Sequence, residues 1–181
     1  MDDLEQLKAI FSHSEEAGLE CLLIGGHAVI LYAVPRFTRD IDLLVSEDQI
    51  REWRILLEEQ HFECYYETPQ FAQFRKQGST DVDVMVVRQP VWDRLWHEAV
   101  EKEIVPGFAV GVPALLHLIA MKLHASKAAH RRPDAMDFSD VIRLFRIHGL
   151  QLEDEDVSAI VERYGGEEAL ASLRAALEQD D

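Results

Sequence analysis

Apolar positions along the chain follow two different periods, and the change between them divides the sequence into two parts. Up to about residue 112, short apolar runs of the length of buried strands alternate with stretches of helical spacing, whereas from residue 113 onward the spacing is helical. Strands interleaved with helices pack as a sheet with helices on its faces. The pattern predicts an α/β (α+β) fold in which a mixed, twisted sheet flanked by helices spans 1–112, followed by a C-terminal helical region over 113–181.

Local signals place the individual elements. Pro35 is expected to end the second helix, because proline lacks the backbone N–H that a helix interior requires. Ser46 followed by Gln49 has the form of a capping box for the third helix. Residues 92–97 are ambiguous, and 103–112 leave room for one more short strand. The predicted strands are 20–24, 41–45, 62–67, 71–76 and 81–87, and the predicted helices are 2–17, 27–34, 50–60, 113–129, 134–148, 153–163 and 166–178.

The composition indicates a protein that folds without covalent or metal cross-links, because 181 residues suffice to bury most of the apolar surface. Cys21 and Cys64 lie in apolar contexts without CxxC or histidine-ligand spacing, so we expect reduced, buried thiols. The apolar stretches 21–34 and 108–121 are shorter than the roughly 20 residues of a membrane span. The acidic N-terminus differs from a secretory signal. We therefore expect a cytoplasmic protein with no membrane partner.

The formal net charge of −16 argues against a protein that binds nucleic acid mainly by neutralising phosphates. That mode of binding needs a surplus of lysine and arginine. A local basic segment, KLHASKAAHRR at 122–132, leaves a more limited contact with nucleic acid open.

Three Asp-x-Asp pairs occur, which alone is weak evidence in a chain with 34 acidic residues. Asp154 and Asp156 open a predicted helix, where carboxylates interact favourably with exposed backbone N–H groups, so their role is structural. The pairs at 40/42 and 81/83 open predicted strands instead. Since alternate strand residues face the same side, each of these pairs shares one face while its apolar neighbours take the other.

Carboxylates brought together at these strand ends would repel each other by about 4 kcal/mol per pair at about 4 Å and an effective dielectric near 20. A cation would offset that repulsion. Oxygen ligands without a cysteine or histidine cluster favour Mg²⁺ or Mn²⁺, and two such ions about 4 Å apart support in-line displacement at phosphorus. The alternative is that each pair faces solvent separately.

Gly25 and Gly26 lie between a predicted strand and a predicted helix. Glycine at such a place lets the backbone approach a ligand and directs N–H groups at an anion such as phosphate, or else forms only a tight turn. The acidic strand ends favour the phosphate-binding interpretation.

The motifs GGHA at 25–28, RFTRDIDL at 36–43 and VDV at 82–84 together resemble the DNA polymerase β-like nucleotidyltransferase superfamily. They are most similar to small prokaryotic members, which include abortive-infection and toxin–antitoxin proteins. The resemblance implies a metal-dependent enzyme that transfers a nucleoside monophosphate from a nucleoside triphosphate to a hydroxyl of an RNA end, a protein or a small molecule. A toxin role in a toxin–antitoxin or phage-defence system is part of this expectation.

The resemblance also implies residue roles. Asp40 and Asp42 would hold two Mg²⁺ (or Mn²⁺) ions that bridge the nucleoside triphosphate, for which ATP is the expected example. Asp83 would bind one ion and accept the proton of the attacking hydroxyl. Asp81 is the alternative third carboxylate, although Asp83 lies deeper in its apolar run. The residues implied to bind the nucleotide are Gly25, Gly26, Arg36, Thr38 and Lys122.

The helical region carries further implied features. Lys122 falls at the border of an apolar helical stripe, from which its ammonium either emerges toward a cleft or lies on the surface as an ordinary lysine. Relatives commonly carry a lysine before an acid where this chain has Pro133-Asp134, which leaves the alignment of 131–137 open. The implied partners are a nucleoside triphosphate, a hydroxyl-bearing acceptor, transfer RNA included, and an antitoxin protein.

Other protein classes that use Asp-x-Asp fit less well. Haloacid dehalogenase-type phosphotransferases need an apolar strand directly before the first aspartate, where this chain has VPRFTR, and metal-dependent glycosyltransferases need a much longer preceding half. A catalytically silent nucleotide-binding or interaction protein of the same fold is the stronger rival. Buried carboxylates are costly without a metal to bind, which favours the enzyme.

Overall fold

The structure, a computed structural model, describes residues 3–127 and 136–178. Contacts divide the chain into two compact units with a boundary between Ala114 and Leu115, and residues 32–35 belong to the second unit. The elements of the first unit are α1 (Asp3–Glu16), β1 (Leu22–Leu23), α2 (Gly25–Leu31), β2 (Ile41–Ser46), α3 (Ile50–Glu59), β3 (Glu63–Thr68), β4 (Phe71–Arg75), β5 (Val82–Val87), α4 (Gln89–His97), β6 (Val100–Val105) and β7 (Phe108–Val112).

The first unit contains a mixed five-stranded sheet, as the sequence predicts. Its strand order is β1-β2-β5-β4-β3. The central pair β2 and β5 is parallel, whereas the pairs β1–β2, β4–β5 and β3–β4 are antiparallel. Parallel pairing brings the N-terminal ends of β2 and β5 to the same edge of the sheet. Because each of these ends carries an Asp-x-Asp pair, the topology concentrates the carboxylates there.

Strand periodicity explains how β2 and β5 serve the core and still present carboxylates. Ile41 and Leu43 of β2 are fully buried, as are Val82 and Val84 of β5. The intervening aspartates of both strands, on the other face, are only partly buried. This alternation confirms the predicted division into an apolar row and an acidic row.

The loop that leads into β5 is anchored by the first helix. Gln6 of α1 is buried, donates from Nε2 to the Thr80 carbonyl oxygen at 2.7 Å, and accepts at Oε1 from the Thr80 backbone N–H at 2.9 Å. The Thr80 hydroxyl also hydrogen-bonds Asp3. These contacts fix the backbone immediately before the acidic end of the strand.

One helix-capping prediction in the first half of the chain is wrong. The capping box at Ser46 and Gln49 does not form: helix α3 begins at Ile50, and Gln49 makes no side-chain cap hydrogen bond. Ser46 is instead the buried last residue of β2 and donates to Gln89, while the Gln49 side chain accepts from the Glu20 backbone N–H. Ser46 Oγ also accepts from the Asp48 backbone N–H at 3.2 Å, so this serine caps the turn that precedes α3 rather than the helix itself.

The remaining differences concern element boundaries and one thiol. Helix α2 begins at Gly25, two residues before the predicted start, and the ambiguous segment 92–97 lies in α4. The segment expected to hold one strand lies in a hairpin of two, β6 and β7. Both cysteines are free thiols, but only Cys21 is buried, since Cys64 lies partly exposed on the edge strand β3.

The second unit is helical in its described part, as predicted from residue 113 onward. Its elements are α5 (Leu115–Ser126), α6 (Met136–His148), α7 (Glu155–Ile160), one π-helical turn (Val161–Gly165) and α8 (Gly166–Glu178). Asp154 is the N-cap residue of α7, which agrees with the structural role expected for the third acidic pair.

Among the residues that the structure describes, no helix is long and apolar enough to cross a membrane.

Candidate functional site

The acidic ends of β2 and β5 are aligned residue by residue. In the parallel register Asp42 lies directly opposite Asp83, one step after the pair Ile41 and Val82. Neighbouring strands lie about 4.8 Å apart, so the two aspartates occupy adjacent positions on the same face. The structure therefore brings together two of the three carboxylates to which the sequence assigns metal binding and catalysis.

Gly25 lies against the first of these carboxylates. Its φ angle is +60°, in the left-handed region that favours glycine. A Cβ atom at this position would lie 2.7 Å from the Asp42 Cβ and closer still to the carboxylate group. The backbone of Gly25 thus occupies space that any side chain would take from Asp42.

Gly26 makes a similar close approach to the segment before β2. A Cβ atom on Gly26 would lie 2.6 Å from the Thr38 Cβ and 3.1 Å from the Arg36 guanidinium carbon. The glycine pair, Arg36 and Thr38 therefore lie together beside Asp42, which brings the residues assigned to the nucleotide in this unit into one place. Their binding role stays a prediction.

Asp83 is partly buried and hydrogen-bonded from the neighbouring strand. Gln73 of β4 lies opposite it in the antiparallel register and donates from Nε2 to both carboxylate oxygens, at 3.0 and 3.1 Å. Burial raises the pKa of Asp83, the Gln73 hydrogen bonds lower it, and the negative charges of Asp40 and Asp81 raise it further. The sequence did not lead us to predict a role for Gln73. It could have been found as the polar residue between two apolar ones in the strand FAQFR, a pattern that puts it on the same face of the sheet as the aspartates.

Asp81 has a different partner from Asp83. Its carboxylate accepts from Arg75 Nε and from an Arg75 terminal nitrogen, the latter at 2.8 Å, and from the Tyr65 hydroxyl at 3.5 Å. The Arg75 guanidinium also stacks on the Tyr65 ring, 4.3 Å from its centroid. Asp81 is thereby paired with a cation, whereas Asp83 faces an uncharged amide.

Asp40 lies just before β2 and is exposed. Its negative charge contributes to the raised pKa of Asp83, which indicates that the two groups are close enough to interact electrostatically. The backbone N–H of the next residue, Ile41, donates to the Asp81 carbonyl oxygen at 3.0 Å. The two acidic strand ends are thus joined by backbone as well as by register.

The donor set is suited to a hard divalent cation. Within 3–127 and 136–178, no three or more His, Cys, Asp or Glu side chains form a group arranged to hold a metal ion. Asp42 and Asp83 are nevertheless adjacent carboxylates on one face, with the charge of a further aspartate nearby, and oxygen ligands of this kind fit Mg²⁺ or Mn²⁺. The two in-register carboxylates are the residues that would hold such an ion.

Lys122, which the sequence assigns to the nucleotide, is a buried residue of the second unit. Its Nζ lies 2.9 Å from an Asp137 carboxylate oxygen and 3.0 Å from an Asp140 carboxylate oxygen, and both acids are buried. Of the two alternatives that the sequence left open for Lys122, its burial excludes the ordinary surface lysine. Nucleotide binding by Lys122 stays a prediction, and part of the open alignment at 131–137 lies outside the described residues.

Comparison with known proteins identifies the family. The model of a family described as an uncharacterised nucleotidyltransferase matches residues 3–179. No curated protein sequence matches the chain. The family match covers nearly the whole chain, so the chain belongs to this nucleotidyltransferase family, and the predicted resemblance is confirmed.

Solved structures with the same fold are distant in sequence. ANT(2″)-Ia in complex with adenylyl-2″-tobramycin is 16% identical with a TM-score of 0.63, covering 98% of each chain. The lincomycin-bound lincosamide antibiotic adenylyltransferase LnuA is 16% identical with a TM-score of 0.57, covering 79% of this chain and 96% of its own. A putative nucleotidyltransferase from Thermotoga maritima is 18% identical with a TM-score of 0.56, covering 68% of this chain and 84% of its own.

Proposed function

We propose that this chain, a member of a nucleotidyltransferase family, transfers a nucleoside monophosphate from a nucleoside triphosphate to a hydroxyl group of a small molecule. The proposed cofactor is Mg²⁺ or Mn²⁺. The observation that carries the proposal is the alignment of Asp42 with Asp83 on one face of the sheet, with Gly25 packed against Asp42. Adjacent carboxylates beside a glycine backbone suit a metal-bound triphosphate, because the cation offsets both sets of negative charge.

The roles proposed for the acidic residues follow from this arrangement. Asp40, Asp42 and Asp83 would hold the metal, which when bound would supply Lewis-acid stabilisation of the phosphate charge. Asp83 also accepts the proton of the acceptor hydroxyl. The acceptor oxygen forms a bond to the α-phosphorus, the bond from that phosphorus to pyrophosphate breaks, and pyrophosphate leaves.

The segment that begins α2 is proposed to contact the triphosphate. Gly25 and Gly26 let Asp42 and Thr38 pack directly against the backbone at the start of α2, because a Cβ atom at either position would collide with those side chains. Arg36, whose guanidinium carbon lies beside Gly26, adds positive charge, and Thr38 adds a hydroxyl. Both groups are donors that phosphate oxygens accept.

A small-molecule acceptor is favoured over a nucleic acid on two grounds. The chain carries a net charge of −16, which disfavours binding of a polyanion. Two proteins with this fold are described with antibiotics or an adenylylated antibiotic, namely ANT(2″)-Ia and LnuA. We therefore place a small hydroxyl-bearing compound first, with RNA, protein hydroxyls, a toxin role and an antitoxin partner as further predictions.

The experiment follows the label from each α-³²P nucleoside triphosphate, with Mg²⁺, into small hydroxyl compounds that include aminoglycosides and lincosamides, into total RNA and into protein. We expect transfer to a small compound that Asp42→Asn abolishes and that Asp81→Asn retains. The matched pair is informative because both substitutions remove one charge from the same acidic edge. Transfer that survives Asp42→Asn would exclude the proposed site, and label only in RNA or protein would exclude the proposed acceptor class.

A further inference from the structure

Gln73 makes a close polar contact with a candidate catalytic carboxylate. Its side chain lies on β4, directly across the antiparallel ladder from Asp83, and its Nε2 lies 3.0 and 3.1 Å from the two oxygens of that carboxylate. Both residues are partly buried. The amide therefore holds the plane of the carboxylate from the side opposite β2.

The same two strands provide a natural comparison. Arg75 lies two residues along β4 from Gln73 and donates to Asp81, which lies two residues before Asp83. Each aspartate thus has a partner on β4, but one partner is a cation and the other a neutral amide. The cation forms an ion pair with Asp81, while the amide contacts Asp83 without adding a positive charge.

We propose that Gln73 is a positioning residue that orients the Asp83 carboxylate for metal binding and proton acceptance. This inference rests on the proposed function. An ionised carboxylate offers about four lone-pair sites on its two oxygens, so a single amide nitrogen leaves sites for a cation and for the acceptor hydroxyl. A lysine or arginine in place of Gln73 would form an ion pair with Asp83 and so compete with the metal ion for that carboxylate.

An oriented ligand binds a metal more tightly and reacts faster than a freely rotating one, because no rotational freedom is lost on binding. Partners that hold ligating groups typically contribute about 10- to 100-fold to metal affinity or activity. The contribution of Gln73 should therefore be visible both in turnover and in metal binding by the protein without nucleotide.

The test compares Gln73→Met with Arg75→Met, two substitutions that keep an unbranched aliphatic stem and remove the hydrogen-bond donors. Turnover, the KM for the nucleoside triphosphate and Mn²⁺ binding by the nucleotide-free protein, followed by electron paramagnetic resonance, are measured for both, beside Asp83→Asn. We expect Gln73→Met to lower kcat and Mn²⁺ affinity by about 10- to 100-fold with little change in KM. Arg75→Met should change neither by more than about threefold, in line with an exposed pair.

The outcomes separate this inference from the proposed function. If Gln73→Met keeps normal kcat and Mn²⁺ affinity while Asp83→Asn loses both, then Gln73 is not a positioning residue. The proposed role of Asp83 in the site would still be supported. Equal losses in both methionine variants would indicate general damage to β4 and overturn the inference. Full activity of Asp83→Asn would overturn the proposed role of Asp83 itself. If no acceptor is labelled by the wild type, the Mn²⁺ arm decides alone, and absence of Mn²⁺ binding by the wild type counts against the inference.

Discussion

At the scale of single residues, Gly25 combines a backbone requirement with a steric one. Its φ of +60° alone would cost a non-glycine residue about 1–2 kcal/mol. The collision of a Cβ atom with Asp42 adds a second cost and displaces a candidate metal ligand. Gly107 is a suitable control for the backbone cost alone. Its φ is +81°, but a Cβ atom there would meet nothing within 4 Å.

We therefore expect Gly107→Ala to lower the free energy of unfolding by about 1–2 kcal/mol and to leave transferase activity unchanged. Gly25→Ala should lower it by more and should also abolish activity, because Asp42 must move. Chemical denaturation and nucleotide transfer assays on the two variants measure both effects. Equal activity in the two variants would show that Asp42 tolerates displacement and would count against its proposed role.

Asp83 gives a prediction about pH. Because burial and neighbouring acids raise its folded-state pKa above the ordinary 3.8, the folded chain binds this proton more tightly than the unfolded chain does. Ionisation of Asp83 therefore costs stability as the pH rises from about 3.8 through the folded-state pKa. Replacing it by a neutral residue of the same shape removes that cost.

We expect Asp83→Asn to melt at a higher temperature than the wild type in metal-free buffer at neutral pH, and at the same temperature in acid below the unfolded-state pKa. Added Mg²⁺ should stabilise the wild type and leave the variant unchanged. Differential scanning fluorimetry across a pH series measures this. A variant less stable than the wild type throughout the series would show that the carboxylate is stabilising in the folded protein.

At the scale of elements, helices α5 and α6 are joined by a buried ion triplet. Lys122 of α5 contacts Asp137 and Asp140 of α6, and all three side chains are largely removed from solvent. Removing the lysine alone would take its ammonium away from two buried carboxylates. The expected loss on breaking a buried pair in this way is about 3–5 kcal/mol.

We therefore expect Lys122→Met to lower the free energy of unfolding by about 3–5 kcal/mol. Lys127→Met, a substitution of an exposed lysine just beyond the same helix, should change it by less than about 0.5 kcal/mol. Combining Lys122→Met with Asp137→Asn and Asp140→Asn should recover part of the loss, because the buried negative charges are removed together with the lysine. A small loss in the single variant would indicate that the triplet is well solvated in solution.

Element-scale prediction from sequence succeeded where the signal was local and periodic. The strands at 41–46 and 82–87 and the helices of the second half were predicted from apolar spacing, because side-chain direction repeats every two residues in strands and every 3.6 in helices. The capping box at Ser46 failed since that serine is needed as the buried end of β2. Only one strand of the β6–β7 hairpin was predicted, because the other strand, Val100–Val105, is largely polar and lacks an alternating apolar pattern.

At the scale of the whole molecule, the net charge of −16 sets the long-range field that an acceptor meets. Cations are attracted to such a surface and polyanions repelled, and added salt screens both effects over a Debye length of about 10 Å at 0.1 M. The charge therefore bears on the choice of acceptor independently of the geometry of the acidic edge.

We expect a cationic hydroxyl compound to show a KM that rises with ionic strength, whereas the KM of a neutral hydroxyl compound of similar size stays nearly constant. Steady-state kinetics at low and high salt, with the concentration of metal-bound nucleotide held fixed, measure this difference. Transfer RNA labelled more efficiently at low salt than at high salt would indicate a basic contact surface, and would shift the proposed acceptor class toward nucleic acid.

The sequence by itself determined which strands carry carboxylates, which face of each strand belongs to the core, and the family to which the chain belongs. Those properties depend on the order of residues along the chain, because strand alternation and motif spacing are local features of the sequence. Only the tertiary structure decided that β2 and β5 run parallel with Asp42 opposite Asp83, that Gln73 rather than a cation lies against Asp83, and that Lys122 is held by Asp137 and Asp140. These are pairings between segments distant in the chain, and strand register and helix packing fix them through contacts that no local period encodes.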